Sequence, residues 1–286
     1  VSLSASCRTA FGETKLTASS CRNPAAIKAR RYSTFRAVGI CPGNPCQASR
    51  GHSTNCTSCS FAGAGGIVFM PNVLVETKNR TTILTLNRPG RRNALTIELM
   101  QELVAAVENA SAHKEQRLLV VRGAGKVFCA GLDLNETQIP ERAHQSADAA
   151  AKMLLTLSET RLITTAQVHG AAIAGGAGVM SAFDFVVAAE GTKFGYPEAK
   201  RGLVAVLVMT FLRRQLRERH IRELLLTGDL IDAARAQDLG FINRVVAPAE
   251  LEAEVEKLVD AILKNAPGAL ASSKRLLEEL WPPSVR

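Results

Sequence analysis

The chain has 286 residues, 47% of them hydrophobic, enough for one large domain or two small ones with a sizeable core. No run of about 18 or more apolar residues occurs, which excludes a membrane-spanning helix. Most of the net charge of +9 falls in the first 70 residues, where eight Lys/Arg meet one acid, Glu13; the nearly neutral remainder argues against a basic nucleic-acid-binding body.

Residues 1–66 show no sustained apolar period and are rich in Ser, Thr, Gly, Cys and Arg. They hold six of the seven cysteines: Cys7, Cys21, Cys41, Cys46, Cys56 and Cys59. Three readings compete. An acid-poor, Arg- and Ser-rich stretch containing "KARRYSTF" suits an organellar transit peptide. Cys41, Cys46, Cys56 and Cys59 would serve a zinc knuckle, but no hydrophobic strand or helix flanks them. Composition favours the third reading, a disordered or non-native leader over 1–69 with the working domain over 70–286. Cys129 is the single thiol of that domain, which reads as a reduced intracellular protein without disulfides.

From Val73 the signals become regular. "NVLVET" and "TTILTL" predict a hairpin about a Lys-Asn-Arg turn. Thr96 is placed to N-cap a helix with Glu98 in its first turn, and Ile97, Met100, Val104 and Val107 follow helical spacing. "RLLVVRG" reads as a buried strand ended by Gly123, and "KVFCAGLDLNE" as a strand running into a glycine turn. Residues 140–160 are helical. "TTAQVHG" is a strand leading into the glycine cluster "AIAGGAG", which starts a helix, and "FDFVVAAE" is another buried strand. "DAARAQDLG" is a short helix capped by Asp232 and closed by Gly240, and "FINRVV" a strand. Leu251, Val255, Leu258, Val259 and Ile262 mark one helix face. Strands alternating with helices predict an α/β fold with a parallel sheet.

The familiar phosphate and nucleophile signatures are missing. "GAGKVF" has Val127 where a P-loop needs Ser/Thr, the glycines at 175, 176 and 178 do not form G-x-G-x-x-G, and no G-x-S-x-G occurs. The five histidines lie at no metal-ligand spacing, so no metal is expected. His169 reads as a satisfied structural residue and Cys129 as a small buried hydrophobe. What remains is two strand-to-turn junctions, "CAGLD" and "IAGGAG", followed by one acid in "FGYPEAKRG". Backbone N–H groups freed at glycine turns and a helix N-terminus make an anion site, and two aimed at one point make an oxyanion hole. A carboxylate nearby would move protons at the carbon beside the bound carbonyl.

The ordered set "NRPGRRNAL", "FCAGLDL", "HGAAIAGGAG", "FGYPE" and "LLLTGDLIDAARAQDLGFINRVV" resembles the crotonase (enoyl-CoA hydratase/isomerase) family over about Val73 to Leu280. The resemblance implies a spiral of ββα units assembled into trimers or paired trimers, and acyl-CoA thioesters as substrates. No separate cofactor is implied, coenzyme A arriving within the substrate. It places the oxyanion donors at the amides of Leu132 and Gly175 and the catalytic acid at Glu198. Substrate contacts fall on Arg92, Ala94, Ala130, Asp133 and Leu134, with Gly176 beside them. The family's first glutamate is replaced by Gly178. One acid instead of two is similar to the isomerases and to the methylglutaconyl-CoA and carboxygeranoyl-CoA hydratase types. The following "GLVAVLVM" favours those hydratases, with Val204, Val206, Leu207, Val208 and Met209 expected to wall the site and raise the Glu198 pKa. The helical C-terminal part is expected to be short, because "SSKRLLEELWPPSVR" stops where the family adds helices over the acyl pocket.

The reading is therefore an enzyme hydrating a 2-enoyl-CoA. A 3-enoyl to 2-enoyl isomerase is the runner-up, and a CoA-fold binding module using Arg213, Arg214, Arg217, Arg219 and Arg222 on RNA is the third. A cytoplasmic location is expected, or the mitochondrial matrix if the leader is a transit peptide.

Overall fold

The computed structural model describes residues 71–280; the transit-peptide, zinc-knuckle and leader readings of residues 1–69 lie outside the described residues. β1 (Val73–Lys78) and β2 (Thr81–Leu86) form the expected antiparallel hairpin, but Lys78 pairs directly with Thr81. The turn shrinks to Asn79 and Arg80, both at positive φ (47° and 63°), the backbone geometry whose twist matches a two-residue hairpin.

β3 (Leu118–Gly123), β4 (Ile163–Val168), β6 (Phe185–Ala189) and β9 (Arg244–Val246) extend this hairpin into a six-stranded sheet, each pairing parallel to its neighbour in the order β1-β2-β3-β4-β6-β9. β3 reads as a continuous apolar run because both of its faces are buried. Leu119 and Val121 enter one core, and Leu118 and Val120 another that α8 (Leu251–Leu263) completes with Leu251, Val255, Leu258 and Ile262. A smaller sheet, order β5-β7-β8, joins Ala171–Ile173, Lys193–Gly195 and Ile231–Asp232.

Local rules place the helices well where the cap is in the sequence. The Thr96 side chain accepts a hydrogen bond from Leu99 N at 3.2 Å and opens α1 (Ile97–Ala112), a contact typically worth about 1 kcal/mol. Asp232 accepts from Arg235 N at 2.9 Å and opens α7 (Ala233–Asp238), and Gly240 follows at φ 80°. α3 (Pro140–Glu159) packs along α1.

One expectation is corrected. "KVFCAGLDLNE" is not a strand; it makes two single bridges, Cys129 with Ala172 and Leu95 with Leu132, then turns into the short α2 (Leu134–Thr137). The glycine at 131 (φ 95°) breaks the extended path, so the segment threads between two neighbours instead of lying along either.

α4 (Gly175–Ser181) follows the glycine cluster, and α5 (Val206–Gln215) and α6 (Glu218–Thr227) follow the segment carrying Glu198. The C-terminal part is helical. Its last described helix, α9 (Pro267–Leu280), is held by buried Lys274, which donates to Leu162 O (2.8 Å) and Asp184 Oδ2 (2.7 Å). Asp184 also accepts from the Thr164 backbone and hydroxyl (2.8 and 2.9 Å), so the acid at the head of β6 ties β4 to α9. Among the described residues no helix is long and apolar enough to cross a membrane.

Candidate active site

Both glycine junctions are built by backbone pairing across long sequence separations. Leu95 N donates to Gly131 O (2.8 Å), Ala130 N to Arg92 O (3.0 Å) and Asp133 N to Leu95 O (2.9 Å), which lays 92–95 against 130–133. Ile173 N donates to Cys129 O (3.1 Å) and Ala174 N to Gly195 O (2.8 Å), which brings the second junction alongside. The two meet in contact: a Cβ at Gly131 would stand 3.1 Å from Gly175 N, and one at Gly175 would stand 3.4 Å from Leu132 N. Ala174 sits at φ 54°, an unusual conformation for a residue with a side chain, immediately before the first turn of α4. Among the described residues, neither the Leu132 nor the Gly175 N–H donates to a backbone carbonyl. Two free amides at adjacent turns, one of them at a helix start, suit an acceptor that gathers negative charge.

The remaining glycines have a different use. A Cβ at Gly176 would lie 2.2 Å from Cys129 O, and one at Gly178 would lie 2.2 Å from Val208 Cγ1. A side chain at Gly176 would therefore collide with Cys129, which is one reason the position is glycine. Buried Cys129 gives its thiol hydrogen to Asn93 O (3.1 Å), and burial pushes its pKa up to about 12, so it packs and does not react.

Asn93 was not foreseen as a site residue. Fully buried at φ 54°, it donates through Nδ2 to the carbonyls of Ala124 (2.9 Å), Val127 (2.9 Å) and Phe128 (3.0 Å), and its Oδ1 accepts from Arg88 N (2.9 Å). One amide thus holds the whole 124–128 turn leading to "CAG". The signal for it was an Asn in a Pro-Gly-Arg-Arg turn, a residue that tolerates left-handed backbone. Asn93→Ala leaves three carbonyls short of a donor and is expected to cost roughly 2–4 kcal/mol of stability, measured by chemical denaturation. A loss under about 0.5 kcal/mol would mean the turn does not depend on this clamp.

The expected substrate contacts divide. Ala94 and Ala130 are half-buried beside the first junction, Arg92 and Leu134 are exposed, and Asp133 is engaged within the protein. Asp133 Oδ2 pairs with the Arg88 guanidinium at 3.3 Å, and Oδ1 accepts from Asn135 N (3.2 Å), capping α2. His169 Nε2 donates to Gly125 O (2.9 Å), a structural hydrogen bond.

Glu198 lies in a 3-10 turn over Pro197–Arg201 that begins two residues past β7. Because Gly195, the last residue of β7, pairs with Ile173 and accepts from Ala174, this turn leaves directly from the second junction. Buried Tyr196, its ring 6.2 Å from that of Phe241, anchors it from behind. The carboxylate is half-buried, and its Oε2 has no hydrogen-bond partner. Desolvation holds the Glu198 pKa above the ordinary carboxylate range, opposed by its own backbone N–H and by Arg201. Other acids near the first junction are occupied or remote: Glu136 accepts from Ile97 N and Arg142 (both 2.9 Å), and Asp148 is exposed along a groove between α1 and α3.

The expected apolar wall divides, with Met209 half-buried. Val204 and Val206 are 70% and 61% exposed and Leu207 37%, whereas Val208 is 6% exposed and packs on Gly178. The run is helical from Val206, so only one of its sides can face the core. Arg222 of the basic cluster is paired with Glu218 (2.7 Å) on the surface of α6. A half-enclosed cavity of about 190 Å³ lies between the large sheet and α8, lined by Lys78, Ile83, Arg122, Gln167, Glu252 and Val259; no residue of the candidate site borders it.

Comparison with known proteins agrees with this arrangement of elements. Residues 76–280 match the family profile of enoyl-CoA hydratase/isomerase. The chain is 35% identical over 215 residues to enoyl-CoA hydratase EchA19 of Mycobacterium tuberculosis, covering 73% of this chain and 81% of that one. It is 31% identical over 212 residues to the 2,3-dehydroadipyl-CoA hydratase of Escherichia coli, covering 73% and 83%. Among solved structures, an enoyl-CoA hydratase of Mycobacterium smegmatis aligns with a TM-score of 0.71 at 30% identity, covering 73% of this chain and 83% of that one. The paired glycine junctions, the mixed α/β fold and the match across most of the described residues lead to one conclusion: the chain belongs to the enoyl-CoA hydratase/isomerase family.

Proposed function

We propose that this chain adds water across the double bond of a 2-enoyl-CoA thioester, with Leu132 and Gly175 as oxyanion donors and Glu198 as the proton-handling residue. The observation that carries this reading is the contact between two glycine junctions whose Leu132 and Gly175 amides donate to no backbone carbonyl. The thioester oxygen accepts from both N–H groups. The Glu198 carboxylate takes a proton from water as the oxygen bonds to C3, and the C2–C3 π pair moves to C2 and the thioester oxygen as an enolate. Glu198 then returns the proton to C2, so the carboxylate is regenerated. Each donor of such a hole is worth roughly 2.7–4 kcal/mol at the transition state. A carboxyl pKa raised by desolvation suits a group that must both accept and donate near neutral pH.

A second reading is isomerisation of a 3-enoyl to a 2-enoyl thioester, in which Glu198 moves one proton between carbons. It is favoured by the absence of any side chain at Gly178, where Val208 fills the space. Incubation with crotonyl-CoA, a methylglutaconyl-like branched 2-enoyl-CoA and a 3-enoyl-CoA, with products separated by chromatography, distinguishes the two. A 3-hydroxyacyl-CoA product is expected. Formation of 2-enoyl-CoA from the 3-enoyl substrate without hydration would replace the first reading by the second.

A further inference from the structure

α4 carries the proposed donor Gly175 at its first position and Gly178 three residues on, which puts both on one face of the helix. The helix is regular here: Gly178 N donates to Ala174 O (3.0 Å), and Ser181 Oγ donates to Gly178 O (2.7 Å). With a rise of about 1.5 Å per residue, the two positions are separated by about 4.5 Å along the axis. The neighbours of the glycines of α4 are settled residue by residue. Gly176 is closed by Cys129, Gly175 abuts Leu132, and Gly178 is covered by the Val208 γ-methyl. Val208 is the buried member of the run 203–208, and as a β-branched residue in a helix it holds essentially one rotamer, so its methyl does not swing away.

We propose that Val208 is the specificity-determining residue of the site: its side chain, seated on Gly178, limits the bulk accepted at C3 of the acyl group. This rests on the reading above, in which the thioester oxygen binds at Leu132 and Gly175. With bonds of about 1.2–1.5 Å, C3 lies roughly 3–3.6 Å from that oxygen and a substituent on C3 roughly 4–5 Å, comparable with the rise of about 4.5 Å between Gly175 and Gly178. The first side chain met on that face is Val208. The same contact governs position 178. A glutamate installed there alone places its Cβ 2.2 Å from Val208 Cγ1, so the Val208 side chain or α5 must shift before a second carboxylate can be seated.

The test compares crotonyl-CoA with 3-methylcrotonyl-CoA in wild type, Val208→Ala, Val208→Ile and the shape-preserving Val208→Thr. One methyl in an apolar pocket shifts kcat/KM by roughly 10–200-fold. Val208→Ala is expected to raise the branched-to-straight ratio of kcat/KM at least about tenfold, Val208→Ile to lower it, and Val208→Thr to leave it within about threefold. Calorimetric Kd values for butanoyl-CoA and 3-methylbutanoyl-CoA should shift in the same sense, and they require no turnover. A ratio unchanged in both the Ala and Ile variants, by rate and by binding, overturns the assignment of Val208 while leaving the acyl-CoA reading intact. Wild type binding neither saturated thioester overturns the acyl-CoA reading and this inference with it. If Val208→Ala does not fold, the Ile and Thr variants still decide through the opposite shift and its absence.

Discussion

Glu198→Gln is expected to lower the turnover of every accepted enoyl-CoA by roughly 10²–10⁴-fold, the usual contribution of a positioned acid–base group, while saturated acyl-CoA binds with little change. The amide keeps the shape and removes the proton. The buried Oε2 and the desolvated environment also fix how the variant responds to pH. Burial raises the Glu198 pKa in the folded protein, so its contribution to stability is fully present below the unfolded-state pKa and is lost as pH rises through the folded one. Gln carries no such penalty. Its melting temperature relative to wild type should therefore increase between acidic and neutral pH, while wild-type kcat/KM rises across the same interval as the carboxylate forms. Retained activity on all thioesters would move the proton to another group. Parallel melting curves across that interval would show that the carboxylate is not desolvated.

Gly176→Ala is expected to lower both stability and turnover, although it adds a single methyl. That methyl would sit 2.2 Å from Cys129 O and 2.9 Å from Cys129 Cβ. Neither is the end of a flexible side chain, and Cys129 is itself fixed by its hydrogen bond to Asn93 O and by accepting from Ile173 N. Overpacking of a well-filled site typically costs about 1–3 kcal/mol. Relief by moving α4 would carry the Gly175 amide away from Leu132, and losing one oxyanion donor costs about 10²–10³ in kcat. The signature is a lowered melting temperature together with a fall in kcat that exceeds any change in KM. Wild-type stability with wild-type kcat would show that α4 moves freely against Cys129, and the hole would then not be held rigid by this contact.

Neither residue was equally visible from the sequence. Glu198 stood out because the "FGYPE" motif of the family resemblance places it in the site, whereas Asp184 and Glu190, which follow the second glycine junction more closely, flank a strand. Gly176 was legible as a glycine but not for its reason, because the atom it must avoid belongs to a residue 47 positions earlier. The same holds for Asn93 and Val208. Asn93 reaches three carbonyls more than 30 residues away, and Val208 covers a glycine on a preceding helix.

By itself, the sequence determined whatever depends on near neighbours. The hairpin of "NVLVET" and "TTILTL", the doubly buried run of β3, the caps at Thr96 and Asp232 and the glycine breaks at both junctions are set by local sterics and hydrogen bonding, and they appear where those rules put them. Tertiary structure decided what each face meets. Apolar periodicity shows which side of an element is buried but not against which partner, so the run after Glu198 read as a wall when most of its side chains face outward and one locks α4. The segment around Cys129 has strand-like composition yet forms single bridges, because its neighbours arrive from residues 95 and 172 at angles only the folded chain sets. Contacts between parallel strands and crossover helices join distant stretches of chain, and closing those loops is a property of the whole fold rather than of any window within it.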